Sequence, residues 1–94
     1  MDKMLQTRLL SHLLPYRPLR VGIFGSYARG EQNQDSDLDV LVQFREHISL
    51  LTLVQIEQEL SDVLGISIDL VTENSVRNPR LKKYIENDLI TIYE

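Results

Sequence analysis

The chain has 94 residues, of which 43% are hydrophobic and 26% charged, with a formal net charge of −4 and no cysteine. That length suits one compact domain, 1–94, with a single core and little surplus. The missing cysteines exclude disulfides, thiolate metal sites and thiol catalysis. The acidic balance weighs slightly against a stand-alone nucleic-acid binder, and no apolar run approaches the ~20 residues of a membrane span.

Residues 2–14 read as an amphipathic helix, since Leu5, Leu9 and Leu13 recur every four positions, with Leu10 and Leu14 beside them. Pro15 and Pro18 end it. Asp2 and the lack of a small-residue cleavage site make this start a poor signal peptide, so a cytoplasmic setting is expected. "LRVGIFG" is a short apolar run closed by glycine and reads as a strand. "SYARG" has room for one helical turn. "DLDVLVQF" is a second strand, apolar on both faces apart from its aspartates, as in a strand covered on both sides.

Ser49 is placed to cap the next helix, whose stripe is Leu53, Ile56, Leu60, Val63 and Leu64 and which ends at Gly65. "ISIDLVT" is a third strand, with Ile66, Ile68 and Leu70 on one face and Ser67, Asp69 and Val71 on the other. Asn78-Pro79 opens a last helix with Leu81, Tyr84 and Ile85 as its buried edge, and "LITIY" makes a short final strand at a sheet edge. The expected class is α+β: a small mixed sheet backed by helices.

Three features carry chemistry. Gly25-Ser26 ends a strand, where glycine permits a sharp turn and close approach to a ligand; the bland alternative is a plain strand-to-helix turn capped by Ser26. Asp37 and Asp39 are two apart, so their side chains share a strand face with Cα atoms roughly 6–7 Å apart. Hard cations suit such a pair, as in two-metal phosphoryl-transfer sites. Asp69 likewise breaks an apolar run, and on a neighbouring strand it completes a three-carboxylate cluster fit for magnesium. An edge-strand aspartate facing water is the competing reading. Asp35 and Ser36 are turn and cap residues.

Gly25-Ser26, ten intervening residues and then Asp37-Leu38-Asp39 resembles the signature of the DNA polymerase β-like nucleotidyltransferases. "GSYARGE" followed by "SDLDVLV" is most similar to the minimal nucleotidyltransferase (MNT) domains, many of them the antitoxin half of HEPN/MNT pairs. The "IDLV" carboxylate and the closing "ENDLITIYE" extend the resemblance over nearly the whole chain. It implies the polymerase β-like fold. It also implies that Gly25 and Ser26 hold the triphosphate of ATP, that Asp37, Asp39 and Asp69 hold two Mg2+ ions, and that Asp69 helps deprotonate the attacking hydroxyl. Arg29 stands in the family's "ARG" position, as a phosphate contact or as a salt-bridge partner of Glu31.

A larger nucleotidyltransferase carries a further domain for its acceptor, so the acceptor here is expected on the open sheet face or from another protein. The resemblance implies a HEPN-domain toxin, an RNase, that receives AMP on a tyrosine hydroxyl. Two alternatives are an antitoxin acting by occlusion alone and a small-molecule nucleotidyltransferase of the antibiotic-modifying kind. His12, His47 and Lys82-Lys83 read as surface residues, and Tyr84 and Tyr93 as core or edge packing.

Overall fold

A computed structural model describes residues 2–94. The Asp2 carboxylate accepts from the Met4 N–H at 2.8 Å and starts helix α1 (Lys3–Leu13). The chain tightens into a 3-10 turn at Leu14–Tyr16, and Arg17, at φ 58°, turns it into strand β1 (Pro18–Phe24). Pro18 therefore opens a strand instead of lying in the break after the helix; the first strand position is one that proline tolerates. The helical turn α2 (Ser26–Arg29), strand β2 (Leu38–Phe44), helix α3 (Leu50–Leu64) and strand β3 (Ile68–Thr72) follow. Helix α4 (Pro79–Asp88) and strand β4 (Ile90–Tyr93) complete the order. The caps fall where the sequence sets them: Ser49 accepts from the Thr52 N–H at 3.2 Å, Asn78 from the Arg80 N–H at 2.9 Å, and Gly65 closes α3 at φ 70°.

The strands form one mixed sheet in the order β3-β2-β1-β4. β1 is antiparallel to β2 and β4, whereas β2 and β3 are parallel, with α3 as the crossover that a parallel pair requires. On one face, Leu9 and Leu13 of α1 and Ile56 and Leu60 of α3 bury Val21, Ile23, Val40 and Val42. On the other, Phe24, Leu41 and Ile85 form a smaller cluster with Val71, Val76 and Leu89. β2 is thus covered on both sides, as its apolar run requires.

The last helix differs from expectation. Only Ile85 is buried, at 2% exposure, while Leu81 and Tyr84 are 46% and 51% exposed. α4 spans ten residues and presses Ile85 and, just past its end, Leu89 onto the sheet; a Cβ on Gly22 would lie 2.5 Å from Leu89 Cδ1. That close seat turns the Leu81 and Tyr84 side of the helix away from the sheet. β4 lies at a sheet edge, as expected. Among the described residues no helix is long and apolar enough to cross a membrane.

The opposite edge strand, β3, has its outward N–H groups covered by α3. The Glu57 carboxylate accepts from the Leu70 N–H at 2.8 Å and Ser61 Oγ from the Ile68 N–H at 3.2 Å. Glu57→Ala leaves a part-buried N–H without its partner and should lower unfolding free energy by about 1–3 kcal/mol. Urea unfolding checks this, with Glu57→Gln, whose carbonyl still accepts, showing the smaller loss.

Candidate active site

Two adjacent strands carry Asp39 and Asp69, and a third borders them. Phe24 pairs with Asp39 across β1 and β2, and Asp39 pairs with Asp69 across the parallel β2 and β3. Phe24 belongs to the cluster beneath α4, so this row of three residues lies on the α4 face of the sheet. Leu41 and Val71, two residues beyond Asp39 and Asp69, continue that face as apolar floor. The carboxylates therefore occupy one end of an apolar surface. Asp37 stands two residues before Asp39, just ahead of β2.

The surroundings differ in the water they admit. Asp37 and Asp69 are exposed, whereas Asp39 is half-buried. Burial, then the charge and hydrogen bonding of Asp69 and the charge of Asp37, push the Asp39 carboxyl up to about 6, against a smaller opposing pull from Arg29. Asp39 also lies against the backbone where β1 ends. Gly25 takes φ 75° and ψ −154°, and a Cβ there would overlap Asp39 Oδ2. Glycine is needed at this position for both its torsion and its size. No side chain caps α2, which leaves its first N–H groups without a capping acceptor beside the carboxylates.

Arg29 ends α2 and is already engaged. Its Nε donates to Glu31 at 3.1 Å and its Nη1 to Asp88 at 2.6 Å, which fastens α2 to α4. Of the two settings open to it in the sequence, the structure contains the ion pair with Glu31. Asp88 escaped the sequence reading, because 59 positions separate it from Arg29 and its "ENDL" surroundings carry no local signal. Asp35 lies in the spacer turn, its N–H donating to Asn33 Oδ1 at 2.8 Å while the Asn33 N–H donates to Ser36 Oγ at 3.0 Å.

The donor set is oxygen only, which suits a hard cation such as Mg2+. The crowding of Asp37 and Asp69 around Asp39 is the repulsion that a cation relieves. Among the described residues no three acidic, histidine or cysteine side chains form a ready-made cage. Magnesium does not need one, since it usually takes one or two carboxylates and completes its shell with water and substrate phosphate. Two clefts, of about 310 Å³ near Arg20, Leu41 and Ile85 and about 460 Å³ near His47 and Arg77, include none of the three aspartates. Asp37 and Asp69 face solvent on either side of the half-buried Asp39.

Comparison with known proteins locates this arrangement. The family described as "Nucleotidyltransferase domain" matches residues 5–92. A Methanocaldococcus jannaschii relative named "Putative protein adenylyltransferase MJ1217" is 54% identical over 77 residues, covering 82% of this chain and 79% of its own. A chain from a crystal structure of a toxin–antitoxin with AMP-PNP superposes with TM-score 0.85 at 21% identity, covering 94% of this chain and 72% of its own. A chain from the tri-AMPylated Shewanella oneidensis HEPN toxin in complex with MNT antitoxin gives TM-score 0.80 at 18% identity, covering 99% and 72%. At those identities the two structures show a shared fold.

Two measurements test the geometry. In the absence of divalent cations, carboxyl NMR should find Asp39 titrating near 6, with Asp69→Asn moving it down towards the ordinary 3.8. Because the folded state holds this proton more tightly than the unfolded one, stability should fall as pH rises from about 4 through 6. Asp39→Asn should remove that slope. Gly25→Ala should cost about 1–3 kcal/mol in urea unfolding through strained torsions alone, and more through its collision with Asp39.

Proposed function

The chain belongs to the nucleotidyltransferase domain family, and on that premise we propose that it is a protein adenylyltransferase that moves AMP from ATP to a hydroxyl of a HEPN-domain partner and so acts as its antitoxin. The observation that carries this reading is the Asp39–Asp69 register beside the Gly25 turn. It joins a carboxylate pair to a backbone that approaches without a Cβ, which is the juxtaposition a triphosphate and its counter-ions need. The name of the M. jannaschii relative and the fold shared with the complex of HEPN toxin and MNT antitoxin support the choice of acceptor. The AMP-PNP structure supports ATP as donor. A cytoplasmic setting belongs to the same reading.

Each residue then has a role. Gly25 and Ser26 hold the triphosphate at the start of α2. Asp37, Asp39 and Asp69 are the residues that would hold two Mg2+ ions. When bound, such ions neutralise charge on the phosphate oxygens and lower the pKa of the attacking hydroxyl. Asp69, exposed beside Asp39, assists removal of the hydroxyl proton. The hydroxyl oxygen attacks the α-phosphorus in line, the bond to the β-phosphate breaks, and pyrophosphate leaves. Arg29, held by Glu31 and Asp88, serves to fix α2 against α4.

The exposed carboxylates have a mechanistic counterpart. With Asp37 and Asp69 exposed, the chain leaves the acceptor side of its site to the partner. A tyrosine hydroxyl is the acceptor in this reading. AMP placed on it adds charge and bulk, which disrupts a nuclease site by repulsion and obstruction.

Incubating the chain with its partner, ATP and Mg2+ and weighing the partner should show a gain of AMP. Asp39→Asn should reduce the rate by roughly 100-fold or more, the scale of losing one charge-stabilising group, while circular dichroism reports an intact fold. Tight binding by the wild-type chain with no mass gain would establish occlusion in place of catalysis.

A further inference from the structure

α4 carries an exposed phenol beside the site. Tyr84 is 51% exposed, although its neighbour Ile85 is 2% exposed in the cluster that contains Phe24. Phe24 in turn pairs with Asp39. Tyr84 also lies one turn before Asp88 on the same helix face, and Asp88 accepts from Arg29 Nη1 at 2.6 Å. Two separate tethers, one through Ile85 to Phe24 and one through Asp88 to Arg29, thus fix Tyr84 at the margin of the carboxylate row. Arg29, which Asp88 engages, ends the α2 turn that starts at Gly25 against Asp39.

The remaining tyrosines are placed otherwise. Tyr16 donates to Glu59 at 3.2 Å, Tyr27 packs against the core beneath α1 and α3, and Tyr93 lies on the edge strand β4. Tyr84 joins solvent access to a position beside the aspartates, and a phenol is the acceptor type of the proposed reaction.

We propose that Tyr84 is an internal acceptor: the chain adenylylates its own Tyr84 hydroxyl with ATP. The inference rests on the adenylyltransferase reading above. A bond forms between Tyr84 Oη and the α-phosphorus, the bond from that phosphorus to the β-phosphate oxygen breaks, pyrophosphate leaves, and the phenolic proton passes to a carboxylate or to water. The product places a phosphodiester beside Arg29, on the margin over which a partner hydroxyl approaches. Self-modification and partner modification therefore compete, and the mark limits its own enzyme.

The test uses the full chain with ATP and Mg2+, without a partner, followed by intact mass and peptide mapping. The expected result is one AMP on the peptide containing Tyr84, absent in Tyr84→Phe and in Asp39→Asn, with circular dichroism showing both variants folded. AMP confined to Tyr16, Tyr27, Tyr93 or another residue overturns the assignment. So does an unmodified chain from a preparation that adenylylates its partner, and in that case the enzymatic reading survives. If neither chain nor partner gains AMP, the enzymatic reading falls and takes this inference with it.

Discussion

Asp39 and Asp69 stand opposite each other in a parallel strand pair, and two like charges on neighbouring strands repel. The architecture around them makes this position tenable. The α3 crossover sets the register of β3, and Glu57 and Ser61 on that helix hold the outer edge of the strand through its backbone. A slip of one residue would carry Asp69 to the opposite face and Ile68 and Leu70 out of the core. The apolar residues therefore enforce the register that brings the acids together. Gly25 contributes the space: without a Cβ, the backbone at the end of β1 comes close to the Asp39 carboxylate.

The two sheet faces divide the work unequally. α1 and α3 cover one face with a broad cluster running from Leu9 to Leu70, where most of the apolar burial that stabilises the fold resides. On the other face a ten-residue α4 covers only the stretch around Phe24, Leu41 and Ile85. The thin layer leaves the sheet end exposed at Asp37 and Asp69. Arg29 links that layer to the turn beginning at Ser26 by pairing with Asp88, so α4 and α2 are positioned together.

Much of this was legible in the residues. Leucine periodicity, Ser49, Gly65 and Asn78-Pro79 mark the helices because capping is local chemistry between a side chain and an N–H two or three positions on. The double-sided apolar run at "DLDVLVQF" marks a strand covered on both faces. Asp39 and Asp69 stand out as carboxylates inside apolar runs. Other features were not legible. Leu81 and Tyr84 share a helical stripe with Ile85 in the sequence, yet only Ile85 reaches the sheet, because the close fit of Leu89 over Gly22 sets the roll of α4. Pro18 reads as a breaker beside Pro15 but opens β1.

What the sequence determined by itself was the set of elements, the mixed α+β class and the chemical type of the site, oxygen donors following a glycine-serine turn. These depend on periodicity, caps and residue chemistry, all local quantities. The tertiary structure alone decided that β2 and β3 run parallel with Asp39 beside Asp69, that Arg29 pairs with Asp88, and that Tyr84 stays in solvent. Each joins residues distant along the chain. Their meeting follows from how the layers pack, and no short stretch of sequence encodes it.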